Sequence, residues 1–389
     1  MDRKKRSRAE AHPHRNDITK ELLPDIVFLN ILPRLPVKSV GRFTCVSKQW
    51  HSFLTTPEFV KTHRQHVITN KMVVVSAATK WFHTIDCERP KEGFSAGRPF
   101  PFKVGPSQNI RILTSVHGLV CIGVKTKPIR RGRYFGWGKY SDLILWNPAT
   151  GDHKTLSKPL ARYYDDCYTT GESLFGLYHS SWDDDYKLLR VTPHPNVYIY
   201  SLKSDSWRKV ESDLQRIRAS PFSLSFFWGP SISLNEKLYF LEYDFNKSYS
   251  IMKFNTEAET LKLIATPFLQ NRTTTWLSFT VLRDCVHLWV NIADSLTFTS
   301  ENELWRMDGD RNWTKVVSTG LIFSSKIQLS HRLHLMRNGN MLIYHGACVY
   351  ELDMKTHTIV LSSNANENML VSPGGKYIET LVSPNQYIM

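Results

Sequence analysis

Leu22-Leu23-Pro24-Asp25-Ile26-Val27-Phe28-Leu29-Asn30-Ile31-Leu32-Pro33-Arg34-Leu35-Pro36-Val37-Lys38-Ser39-Val40, continuing through Cys45-Val46-Ser47-Lys48-Gln49-Trp50-His51-Ser52-Phe53, decides how the N-terminal part of this chain folds. Pro24 suits the first turn of a helix, and Asp25 favours its N-terminus through the helix dipole. Ile26, Val27, Leu29, Ile31 and Leu32 are too many apolar residues for one solvent-facing helix. Pro33 and Pro36 are expected to stop that helix and bend the chain. A second helix can start near Pro36 and carry Val37, Val40 and Phe43. A third runs from about Ser47 with Trp50, Phe53 and Leu54. Thr55 with Glu58 has the spacing of a capping box, and Pro57 suits the first turn of a fourth helix, through about Val67. Three or four helices in so short a segment cannot bury all this apolar surface alone. Either the rest of the chain or a partner helix must cover part of it.

The order of elements resembles an F-box. Leu23-Pro24, Ile31-Leu32, Arg34 to Ser39, Cys45 to Lys48 and Trp50 follow one another as in that motif. Asn30 departs from it, since an acidic residue often precedes Ile-Leu. The resemblance implies docking on a Skp-type adaptor and, through it, on a cullin ubiquitin ligase. It places Leu23, Pro24, Ile31, Leu32, Leu35, Pro36, Val40, Val46 and Trp50 in or behind the adaptor contact. Some of these must hold the helices together instead, and sequence does not separate the two roles.

Past residue 70 the pattern changes to short strands. Five segments look alike: residues 143–156, 197–210, 250–264, 303–316 and 349–360. Each is a strand ending in an aromatic, a polar turn and a second strand. The aromatics Trp146, Tyr200, Phe254, Trp305 and Tyr350 recur about every 50 residues. Each pair is preceded by another two-strand candidate, at 119–124, 174–191, 232–241, 277–290 and 333–344. Four strands per repeat is the signature of a β-propeller blade. Residues 72–87 supply a further strand pair, and 377–382 a last strand that would close the ring by joining the N-terminal blade. The expected fold is therefore α+β in two domains. A basic tail (1–17) and a small all-α F-box (18–68) precede an all-β propeller of about six four-stranded blades (69–389). A β-sandwich of irregular hairpins is the competing architecture.

The repeats also resemble the F-box-associated domain of plant F-box proteins. The matching pieces are Gly118 to Cys121, Leu145 to Gly151, Asp184 to Leu188, Trp305 with Asn312 to Val316, and Tyr377 to Pro384. The paired glycines of kelch blades are missing inside the repeats; Gly374-Gly375 lies outside that context. The resemblance implies a substrate-recognition domain.

Bulk properties bound the function. The 389 residues carry net charge +15, and 12% of them are aromatic, including 11 Trp. Residues 1–15 hold six basic and two acidic side chains, and residues 125–140 hold six basic and none. These two segments supply most of the excess, so a general nucleic-acid surface is not expected. The tail Arg3-Lys4-Lys5-Arg6-Ser7-Arg8 has the form of a nuclear localisation signal, and a nuclear or cytoplasmic location is expected. Arg130, Arg131 and Arg133 interleave with Tyr134, Phe135 and Trp137, so this loop is the candidate target-binding segment. No secretory leader or membrane span is visible. The six cysteines are scattered without a Cys-x-x-Cys pair, which suggests free, mostly buried thiols in a reducing compartment. Asp183-Asp184-Asp185 is expected to be a solvated turn tip. His331 and His334 are expected on opposite faces of a strand, a poor metal pair. No phosphate loop, nucleophile elbow or His-Glu-x-x-His occurs, so neither cofactor, metal nor catalytic group is expected. The function expected is recognition of a protein target for ubiquitination. A propeller that binds a small ligand or glycan, as a sensor or lectin, is the alternative.

Overall fold

The turns explain the sheets. Asn235-Glu236 and Arg283-Asp284 both have φ near +50°, and His117-Gly118 has φ of 47° and 90°. These are two-residue hairpins of the type whose backbone twist matches that of the flanking strands. A second turn recurs further out: Asn147, Asn255 and Asp353 each accept, through the side-chain oxygen, from the backbone N–H two residues on. These turns close with Gly151, Glu259 and His357 at positive φ. Short polar runs such as Asn-Pro-Ala-Thr-Gly therefore set strand ends wherever they occur.

The structure, a computed structural model, describes residues 26–66, 69–76, 80–105, 108–126, 130–131, 134–135, 140–157, 173–192, 196–211, 226–243, 249–264, 266, 274–293, 300–310, 312–319, 332–345, 348–364 and 371–387. The chain divides into two compact units, Met1–Ile68 and Thr69–Met389.

The second unit is a six-bladed β-propeller. Five blades are four-stranded antiparallel meanders. They run Gln108–Val116 to His153–Thr155, Leu174–Ser180 to Ser206–Val210, Phe226–Leu234 to Thr260–Ile264, Thr274–Leu282 to Trp313–Thr319, and Arg332–Leu335 to Ile359–Asn364. We number these blades 2 to 6. Blade 1 is assembled from both ends of the domain. Asn70–Ser76 pairs on one side with Phe82–Asp86 and on the other with Val371–Ile378, antiparallel, with Asn70 opposite Ile378. Phe82 also bridges Arg98.

The strand from the chain end is the innermost of its blade. Val371–Ile378 touches the first strands of blades 2 and 6, and the first strands of successive blades touch one another around the ring. The closing strand ends at Ile378, earlier than the 377–382 span expected from its alternation. Residues beyond it serve another purpose. Asn147, fully buried, donates from its side-chain amide to the carbonyls of Thr380 (2.9 Å) and Val382 (2.8 Å). Thr380 Oγ1 donates to His117 O (2.8 Å). At Gly118 (φ +90°) a Cβ would collide with Thr380 and lie 2.8 Å from Ile378 O, so only glycine fits. Gly375 belongs to the closing strand, where a Cβ would come within 2.6 Å of Ile112 Cγ2.

Apolar side chains fill the seams between blades. Phe82, Ile122 and Trp146 pack between blades 1 and 2, Tyr178, Phe240 and Phe254 between 3 and 4, and Trp289, Leu304 and Met341 between 5 and 6. Trp146, Tyr200 and Phe254 of the repeating aromatics are fully buried, while Trp305 and Tyr350 pack part-buried against their clusters. Of the five cysteines among the described residues, all free, only Cys87 and Cys121 are buried; Cys45 is exposed and two are intermediate. The expectation of mostly buried thiols is thus corrected, because the other three sit near strand ends or helix turns.

The first unit is helical. Residues Ile26–Ile31 form a wide π-type helical segment, continued by a tight turn, Leu32–Arg34, that contains Pro33. The bend falls at Leu35, which is extended (ψ 151°), and not at Pro33, because proline fits the first positions of the turn. Helices α1 (Val37–Phe43), α2 (Lys48–Leu54) and α3 (Pro57–His66) follow. Ser47 caps α2 by accepting from Trp50 N. Thr56, rather than Thr55, caps α3: its hydroxyl accepts from Phe59 N (3.3 Å). Thr55 Oγ1 instead donates to His51 O at the end of α2. Glu58 lies too early to complete a capping box on Thr56.

Candidate functional site

A small core forms in the helical unit before any surface is left over. Leu32, Val37, Val40, Leu54, Phe59 and His63 are buried. Phe28 stacks edge-on against Trp50 (5.2 Å) and Phe53 (4.7 Å), and Phe53 continues to Phe59 (5.4 Å). His63 anchors α3 to the bend through Nε2 and Leu35 O, 2.9 Å apart. Burial lowers the His63 pKa, so the neutral ring is favoured there.

What remains outside this core is apolar. Ile26 is 49% exposed, Leu29 63%, Ile31 47% and Val46 61%. A soluble unit of this size rarely leaves so many large aliphatics in water unless another surface covers them. The residues named from sequence fall into four groups. Ile31, Pro36 and Val46 are exposed; Leu35 and Trp50 are half-buried; Leu32 and Val40 lie inside the helical core. Leu23 and Pro24 lie outside the described residues. Leu32 and Val40 therefore hold the unit together. From sequence, Ile26 and Leu29 belong only to the apolar residues too many for one solvent-facing helix, not to the expected adaptor contact; the structure leaves both exposed.

On the propeller, the segment expected from sequence to bind a target is described only in its backbone. Arg130 pairs with Phe135 and Arg131 with Tyr134 in a two-residue ribbon. Their side chains, together with Arg133 and Trp137, lie outside the described residues, as does the basic tail. At the base of the segment, Lys125 Nζ sits 4.8 Å from the Tyr140 ring centre.

The three aspartates separate. Asp185 is buried: it accepts from Ser201 Oγ (2.6 Å) and Lys203 N (3.0 Å), tying the first turn of blade 3 to the third. The expectation of a solvated tip holds for Asp184 and is corrected at Asp185, because the Ser201 hydroxyl and the Lys203 amide donate to its carboxylate across the blade. Asp183 pairs with Lys187, and Asp184 with His179 (2.9 Å). His334 is buried against Glu88 (2.8 Å) at the seam between blades 6 and 1, and His331 lies outside the described residues. Among the described residues no group of three or more His, Cys, Asp or Glu is placed to hold a metal ion. No helix among them is long and apolar enough to cross a membrane.

A short helical module followed by a six-bladed β-propeller defines a two-unit modular class of protein. Comparison with known families agrees. Residues 21–62 match the F-box domain, and residues 135–372 match the F-box associated beta propeller domain. This chain belongs to the plant F-box proteins that carry an F-box-associated β-propeller. Two similar proteins are putative F-box proteins of Arabidopsis thaliana. At3g16210 is 22% identical over 81% of this chain and 78% of its own length, and At1g47790 is 26% identical over 78% and 71%. The F-box protein CPR1 of the same plant is 24% identical over 49% of this chain and 45% of its own.

Proposed function

We propose that this chain is the substrate-recognition subunit of an SCF-type E3 ubiquitin ligase. The exposed aliphatics Ile26, Leu29, Ile31 and Val46 carry the reading, since they lie inside the segment that matches the F-box domain. In this reading they dock on a Skp-type adaptor, with Leu23, Pro24, Leu35, Pro36 and Trp50 bordering the contact. The adaptor links the chain to cullin. The propeller holds a target protein, and Arg130, Arg131, Arg133, Tyr134, Phe135 and Trp137 contribute to that contact. The chain performs no covalent step; it raises the local concentration of target lysines near the charged E2. It works in the nucleus or cytoplasm, where its partners are.

Three of the repeating aromatics are buried as core, which leaves the sensor or lectin reading without its main support. The test is direct. Purified chain is mixed with Skp-type adaptors, and complex formation is measured by size-exclusion chromatography and calorimetry. Leu29→Asp with Ile31→Asp is expected to weaken binding at least a hundredfold while the propeller melts as before. Absence of binding to every adaptor isoform by the unaltered chain would falsify the proposal.

A further inference from the structure

Among the described residues Trp182 is the most exposed of the large apolar side chains, at 75%. It sits on the turn joining Leu174–Ser180 to Asp185–Val191, the first two strands of blade 3. An aromatic left in water is usually mobile, but this turn is braced from every side. Asp184 is held at φ +50°, its carboxylate meets His179, and its carbonyl accepts from Tyr387 Oη. Asp183 pairs with Lys187, and its carbonyl accepts from Lys203 Nζ. Ser181 Oγ donates to Glu236 on the first turn of blade 4. A large indole is thus presented on a rigid support, so little side-chain entropy is left to lose on contact.

The surroundings specify the partner. Lys187 Nζ already lies 5.2 Å from the Trp182 ring centre, so the ring is placed to meet cations. The Asp184 side chain is 65% exposed, and Glu236 is exposed on the neighbouring turn. Below them Tyr178 is 1% exposed, and its hydroxyl has no hydrogen-bond partner among the described residues. Burial raises the pKa of this phenol, and the charges of Glu259, Arg208, Asp183 and Asp185 act on it from around the otherwise apolar seam. An exposed indole that already meets one ammonium, on a turn whose neighbouring carboxylates Asp184 and Glu236 each hold one partner and keep exposed acceptor sites, suits an arginine or lysine side chain, which combines flat or alkyl surface with several N–H donors.

We propose that the Trp182 turn, with Asp184 and Glu236, is a docking point for an arginine- or lysine-bearing segment of a partner protein. It is separate from the helical unit, so its success or failure does not depend on adaptor binding.

The test uses the full chain and fluorescein-labelled peptides in which alanine alternates with arginine, lysine or glutamate. Anisotropy titrations are expected to show saturable binding of the basic peptides, weaker at high salt, and none of the glutamate peptide. Trp182→Ala should weaken binding about tenfold or more, Glu236→Gln severalfold, and Trp182→Phe less than Trp182→Ala. All three variants alter exposed positions, and an unchanged melting curve confirms that they fold. Three results would overturn the proposal: no binding of basic peptides, binding that ignores Trp182→Ala, or preference for the glutamate peptide. A fall in sedimentation mass on Trp182→Ala would do so too, since the face would then belong to a second copy of this chain.

Discussion

The helical unit and the propeller handle apolar surface in opposite ways. In residues 26–66 four large aliphatics stand about half exposed or more around a core of seven buried residues. In the propeller the blades pack against one another through apolar seams and Val371–Ile378 closes the ring, so the large apolar side chains left exposed, Trp182 among them, are few for the size of the unit. The difference teaches where each unit's stability comes from. The propeller is complete in itself. The helical unit leaves large aliphatics in water, and under the proposed adaptor docking a partner would cover them.

Four substitutions or conditions would break or sharpen this contrast. The largest effect is expected at Trp146, fully buried and packed against Phe82 (4.7 Å) and Phe100 (5.2 Å). Trp146→Ala should destabilise the propeller by about 4 kcal/mol in chemical denaturation. Adaptor affinity should not change, and if it did, the independence of the two units would be lost.

Acid comes next. Burial and the nearby Lys376 ammonium push His334 down from 6.5 to about 4, against the opposing pull of Glu88. The unfolded chain therefore takes up this proton first, and stability falls as pH drops from about 6.5 towards about 4. A 2.5-unit shift corresponds to about 3 kcal/mol. Melting followed from pH 7.5 to 4.5 should show the loss, and His334→Gln should flatten it. A profile unchanged by the substitution would remove His334 as its source.

Asn147→Ala should cost about 2 kcal/mol, because it strands two buried carbonyls, those of Thr380 and Val382. Limited proteolysis should then cut beyond Ile378 while blades 2 to 6 stay resistant. The smallest effect belongs to the helical unit. Thr56→Ala removes the α3 cap and should lower its stability by about 1 kcal/mol. Saturating adaptor should restore it, as expected for a unit completed by its partner; hydrogen exchange of α3 with and without adaptor reads this out.

Much of this architecture is legible in the sequence. Repeating aromatics, turn residues and alternating strands identify the blades, and Pro36, Ser47 and Pro57 mark helix starts close to where they occur. Leu32 and Val40 show the limit: both sit in the motif, yet they point into the core. Thr55 and Thr56 show another, since either can cap and only the packing of α3 decides.

The sequence by itself determined the elements, because φ/ψ preferences, turn chemistry and apolar periodicity act over a few residues. The tertiary structure alone decided how distant parts meet. It makes the last strand the innermost of blade 1, and it joins Asn147 to carbonyls more than two hundred residues away. It buries Asp185 and exposes Trp182 within the same turn. These pairings carry a large loop-closure entropy cost and leave no local trace, so they form only when the whole ring repays that cost together.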